Sequence, residues 1–155
     1  MSSTPKFICD DMVGRLCKWL RILGYDTLYF RGTDAELAVI SRRDDRIVLT
    51  RDRELLKRKV PKEGLILQSD KVLEQLKEVL ITFKLFPIQI DLTFSRCLLC
   101  NALVIQIEKE KAENQVPEYV YNTHDRFHQC PQCKKIFWTG THVQNTRVQL
   151  QNLLK

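Results

Sequence analysis

Short apolar runs alternate four times with segments whose apolar side chains recur every three or four positions, so strand-like and helix-like patterns take turns along the first half of the chain. Residues 7–9, Phe-Ile-Cys, read as a buried strand. Met12, Leu16, Trp19, Leu20 and Leu23 then fall on one face of a helix, which Gly24 closes. Residues 25–30 predict a second strand. Thr33, with Glu36 three positions on, gives a capping-box start for a helix reaching about residue 43. Residues 46–50 predict a third strand, 51 to about 59 a short helix and 64–68 a fourth strand. Residues 70–86 predict a longer helix with Val72, Leu73, Leu76, Val79, Leu80 and Phe83 on one face, and Pro87 ends the unit. Four strand–helix alternations predict an α/β fold over residues 1–87, a parallel sheet flanked by helices with right-handed crossovers.

The pattern changes after Pro87. Residues 88–96 read as a connecting strand or linker, 102–107 as a strand and 108–118 as a charged loop, within a second, smaller unit over 88–155 that ends in a helix. Cys97, Cys100, Cys130 and Cys133 form two CxxC pairs in that unit. Two close pairs of thiolates complete the tetrahedral shell of a structural Zn²⁺, because each turn also points backbone NH groups at its sulfurs. A redox motif needs only one such pair. Cys9 and Cys17, one in a strand and one beside an apolar helix face, read as buried thiols. His124, His128 and His142 are assigned to surface or packing roles, since four cysteines already fill the shell.

The formal net charge of +6 and pI near 9.1 favour an anionic partner such as nucleic acid over a neutral one. Arg15, Lys18 and Arg21 lie on the helical stripe opposite the apolar face. Arg51 and Arg53 belong to a second basic stretch, residues 51–62. No run approaches 18 apolar residues and residues 1–6 contain no apolar core of a leader, so a soluble, cytoplasmic protein without a membrane partner is expected.

Acidic residues follow each strand of the first unit. Asp10 and Asp11 follow the first, Asp34 and Glu36 the second, Asp52 the third and Asp70 the fourth. A parallel sheet puts all four strand ends on one edge, where α/β proteins bind ligands. Convergent carboxylates suit Mg²⁺ or Mn²⁺, with Asp10 and Asp52 as the principal ligands, and such a site hydrolyses phosphodiesters. Plainer roles exist for several of these acids. Glu36 serves as the capping partner of Thr33, Asp34 as a first-turn charge and Asp70 as an N-cap.

Residues 7–10 (FICD), 12–16 (MVGRL), Trp19-Leu20-Arg21, Gly24-Tyr25-Asp26, Asp34, Glu36-Leu37 and Leu49-Thr50-Arg51-Asp52 resemble the PIN-like ribonuclease domain family first defined at the carboxyl end of Mut-seven proteins. The cysteine pairs with Asn101, Trp138, Gly140 and His142 are similar to that family's zinc-ribbon tail. The resemblance implies a PIN-type three-layer α/β/α fold and divalent-metal-dependent cleavage of RNA. It also implies catalytic acids at Asp10, at Asp34 or Glu36, at Asp52 and at Asp70. Asp11 and Cys17 depart from the small residue and the alanine usual at their positions. The alternative is a non-catalytic RNA- or ribosome-binding module built on the zinc ribbon. A receiver domain, which also carries acids after its first and third strands, is disfavoured by the lack of a fifth strand–helix unit before Pro87.

Overall fold

The computed structural model describes residues 4–58 and 63–153. Phe7–Cys9, wholly apolar and wholly buried, forms strand β1, and Ile47–Thr50, buried at every position, forms β3. These two strands are the centre of a four-stranded parallel sheet ordered β2-β1-β3-β4, with β2 at Thr27–Tyr29 and β4 at Glu63–Ile66. Central strands covered on both faces read as continuous apolar runs, whereas the edge strands are partly exposed. Cys9 pairs with Tyr29 on one side and Leu49 on the other. The chain therefore reverses its direction of travel across the sheet between β1 and β3.

Helices α1 (Gly14–Ile22) and α4 (Val72–Thr82) cover one face, and α2 (Asp34–Asp44) and α3 (Arg53–Arg58) the other. Side chains of a strand alternate between faces. Phe7 and Cys9 accordingly pack with Leu16, Leu20, Leu76 and Leu80, while Ile8 packs with Leu37, Val48 and Leu55. Gly24, at φ 96, closes α1 in the left-handed region, and Lys84, at φ 56, follows the end of α4. Both helices are shorter than expected. Residues 70–71 stay outside α4, and its last residue is Thr82.

Met12 departs from the predicted apolar face. A 3-10 turn at Asp11–Val13 precedes α1 and shifts its phase, so Val13 is buried and Met12 is 57% exposed. Of the two expectations for residues 88–96, a linker is found and not a strand: the segment holds a 3-10 turn at Ile90–Leu92 and a single bridge from Arg96 to Leu103. Residues 59–62, which hold the expected end of α3 and part of the second basic stretch, lie outside the described residues.

The second unit is a three-stranded antiparallel sheet, β5 (Ile105–Ile107), β6 (Phe127–Gln129) and β7 (Ile136–Phe137). The charged segment after β5 is not simply a loop. It holds the short α5 (Lys109–Ala112), and α6 (Glu118–Thr123) follows, with Ala112 and Val120 buried against Phe127 and Ile136. One buried residue per short helix, Ala112 and Val120, leaves too little periodicity to see in the sequence. The last helix, α7 (Thr141–Leu153), follows the ribbon in sequence but puts Leu150 into the core of α1 and α4. No helix among the described residues is long and apolar enough to cross a membrane.

Candidate active site and metal centre

The carboxyl ends of β1 and β3 are neighbours, and their first polar side chains meet there. The Thr50 hydroxyl donates to Asp10 Oδ2, and Thr50 Oγ1 accepts the backbone N–H of Asp52 at 2.9 Å. Asp10 Oδ1 accepts the N–H of Met12 at 3.1 Å, which caps the 3-10 turn. Burial raises the Asp10 carboxyl above its ordinary value against those two hydrogen bonds, and the charges of Asp11 and Asp52 add to the rise. A half-buried carboxyl with two carboxylate neighbours is short of positive charge, which is the electrostatic condition a cation relieves.

Asp52 has a second task that its sequence context hides. Its Oδ1 accepts the N–H of Glu54 at 3.0 Å, so Asp52 caps α3, a role that the sequence assigns more readily to Thr50. Thr50 instead joins the two acids, and this is the residue sequence reasoning missed. The parallel register supplied the signal, since Cys9 pairs with Leu49 and the next positions are Asp10 and Thr50.

The other acids do not gather with these. Strands β2 and β4 lie at opposite edges of the sheet, and among the described residues Asp34, Glu36 and Asp70 form no converging group with Asp10 and Asp52. Asp34 and Glu36 are exposed on the first turn of α2, capped by Thr33 Oγ1 through the N–H of Glu36 at 3.1 Å. Asp70 is exposed too and shares with Asp11 a cleft of about 500 Å³ beside α1. Among the described residues, the cysteines are the only group of three or more Cys, His, Asp or Glu side chains whose ligand atoms converge.

That group is Cys97, Cys100, Cys130 and Cys133, with all four ligand atoms within 4.8 Å of one another. Cys97 Sγ and Cys133 Sγ are 3.8 Å apart, the edge of about 3.8 Å expected for a tetrahedron with Zn–S bonds of about 2.3 Å. The two turns are built alike. Asn101 N donates to Cys97 O at 2.8 Å and Lys134 N to Cys130 O at 3.0 Å, with Asn101 and Lys134 in the left-handed region at φ 67 and 68. The N–H groups of Gln132 and Cys133 point at Cys130 Sγ, 3.4 and 3.5 Å away. Desolvation and the thiols of Cys133 and Cys130 push Cys100 up to about 12. Cys130, despite its desolvation, is drawn down to about 7 by those N–H groups and by the thiols of Cys133 and Cys97. Four sulfurs converging at the spacing of a tetrahedral edge fit a dication such as Zn²⁺.

Of the basic residues, Arg15, Lys18, Arg51 and Arg53 are exposed, but Arg21 is not. Its side chain is 8% exposed, with Nε donating to Thr27 O at 2.9 Å and Nη1 to Leu98 O at 2.7 Å. Arg21 therefore leaves the expected basic stripe and ties α1 to the first cysteine turn. Asn101 makes a second tie, accepting the N–H of Thr27 at 2.9 Å and donating to Asp26 Oδ1 at 2.6 Å. Although Asp26 is partly desolvated, Arg46 and Asn101 hold its carboxyl below the ordinary range. Cys9 and Cys17 are buried, as expected, and burial raises the Cys9 thiol.

A family profile described as Mut7-C RNAse domain matches residues 5–150, nearly the whole chain. No match is found among curated proteins or among solved structures.

Proposed function

Because the chain belongs to the Mut7-C RNAse domain family, we propose that it is a divalent-metal-dependent ribonuclease whose cation is held between the ends of β1 and β3. The observation that carries this reading is the Asp10–Thr50–Asp52 connection at the point where the chain's path across the parallel sheet reverses. Asp10 and Asp52 would hold Mg²⁺ or Mn²⁺. Such a cation, when bound, neutralises charge on a phosphodiester and acidifies water for attack. Thr50 fixes the rotamer of Asp10 by its hydrogen bond, so the carboxylate needs little rearrangement to act as a ligand. Asp11 adds negative charge beside Asp10, and Asp70 faces the adjoining cleft. Asp34 and Glu36, outside this group, would have smaller effects. Arg15 and Lys18, with Arg51 and Arg53, are exposed cations suited to phosphate contacts along the RNA. A structural Zn²⁺ on the four cysteines would hold the ribbon.

The experiment is cleavage of end-labelled RNA by the zinc-loaded full chain, with and without added Mg²⁺ or Mn²⁺. Cleavage only with the added cation supports the proposal. RNA binding without cleavage under any cation replaces it with the non-catalytic binding module.

A further inference from the structure

Three large apolar side chains are exposed around the cleft beside α1: Leu99 at 64%, Met12 at 57% and Tyr29 at 39%. They come from three separate parts of the chain. Met12 lies in the turn after Asp10, Tyr29 ends β2, and Leu99 is the third residue of the Cys97–Cys100 turn. Single exposed apolar residues need no explanation, whereas a cluster around one concavity marks a binding surface.

The cleft is also charged in a particular way. Asp11 and Asp70 line it, adjoining the acidic strand ends, and Arg15 and Lys18 line it as exposed cations. An apolar platform bordered by cations matches a nucleotide, whose base wants a face to lie on and whose phosphate wants positive charge.

The walls are fixed in advance of any ligand. Arg21 clamps Leu98 O to α1, and Asn101 anchors the same turn to Asp26 and Thr27. The Tyr29 ring lies against Gly14, where a Cβ would come within 3.1 Å of it, so Gly14 leaves the room that the ring occupies. Arg31 Nε donates to the Tyr29 hydroxyl at 3.0 Å and its guanidinium lies 5.5 Å from the ring centroid, holding the same hydroxyl end of the ring. Preformed walls reduce the ordering cost of binding.

We propose that the first cysteine turn of the ribbon is a wall of the substrate site, and that Leu99, Met12 and Tyr29 receive one unpaired base of the RNA beside the acidic edge. This rests on the ribonuclease reading for the identity of its ligand. The cysteine cluster thereby acquires a second consequence, because Cys97 and Cys100, which would hold the ion, flank Leu99 and would set its position. Base preference of the enzyme is set in part by a residue outside the α/β unit.

The test uses the full, zinc-loaded chain carrying Asp10→Asn, which keeps the RNA intact. Two single-stranded RNA octamers serve as probes, one with 2-aminopurine at an internal position and one abasic there. Leu99→Ser and Met12→Ser, both at exposed positions, are added singly. Each should weaken the 2-aminopurine octamer about fivefold or more and reduce its fluorescence change, while leaving the abasic octamer's affinity unaltered. Equal affinity of parent and both variants for the 2-aminopurine octamer would overturn the proposal, as would equal losses on both octamers or no binding by the parent. Cleavage by the chain without Asp10→Asn is measured in parallel. Base-dependent binding without cleavage rejects the nuclease and keeps the subsite, and cleavage with indifferent Leu99 does the reverse.

Discussion

The hydroxyl of Thr50 donates to the carboxylate of Asp10, so the residue that ends β3 holds the acid that follows β1. Thr50 is fully buried, and the same oxygen accepts the N–H of Asp52. Thr50→Val keeps the shape and removes both interactions. Stability should fall by about 1–3 kcal/mol, since a partly buried carboxylate and an amide lose their partner. Urea unfolding measures this, and an unchanged midpoint would show that the bond contributes nothing.

The raised Asp10 carboxyl sets a pH dependence with a definite sign. Between the ordinary value of 3.8 and the raised one, the folded protein binds more protons at this group than the unfolded chain does. Its contribution to stability therefore falls as pH rises through that window. Asp10→Asn removes this slope, so the metal-free variant should match or exceed the wild type at neutral pH and lose that advantage below pH of about 4. Denaturation of both proteins across that range, without divalent cation, checks it. A variant less stable at neutral pH than at acid pH, relative to wild type, contradicts it.

Arg15 and Lys18 should behave differently from Arg21. Replacing either exposed residue with Ala should lower the slope of log affinity for RNA against log salt by about one unit per lost phosphate contact, with little change in stability. Arg21→Ala should instead destabilise the fold by about 1–3 kcal/mol, because the carbonyls of Thr27 and Leu98 lose a charged donor. Salt titrations of RNA binding beside melting curves separate the two effects.

This contrast shows what a sequence can carry. Continuous apolar runs located β1 and β3, and the first acid after each run located Asp10 and Asp52, because local periodicity and strand direction suffice for both. Two CxxC spacings likewise placed the cysteine cluster. Arg21 was illegible because its acceptor at Leu98 lies 77 residues away, and a basic residue at helical spacing looks the same whether solvated or clamped. Met12 was misplaced because a 3-10 turn has its own period, and no residue marks where it yields to α1. Asp34, Glu36 and Asp70 already have plainer capping or first-turn readings than Asp10, but which strand ends adjoin is known only from the strand order. That order depends on crossovers, which sequence patterns do not encode.

Zinc content should be about one ion per chain, lost on replacing Cys97 or Cys130 by Ser. The consequence should not stop at the ribbon. Asn101 accepts the N–H of Thr27, a residue of β2, and Leu150 beyond the ribbon is buried against α1 and α4. Loss of the ion should therefore speed amide exchange at Thr27 and lower the melting temperature of the whole chain. Unaltered exchange in β2 after verified zinc removal would mean that the first unit does not depend on the ribbon.

The most direct test of a cation held between Asp10 and Asp52 is RNA cleavage by wild type, Asp10→Asn and Asp52→Asn, purified identically with zinc retained and assayed with Mg²⁺ or Mn²⁺. Each substitution keeps the size of the side chain and removes its charge, and Asp10→Asn retains an acceptor for the N–H of Met12. Cleavage by both variants should drop at least about a hundredfold, since a lost cation forfeits several kcal/mol of transition-state stabilisation, while their melting temperatures stay within reach of wild type. Cleavage at the wild-type rate in both variants, or in wild type without divalent cation, would contradict a metal site at the ends of β1 and β3.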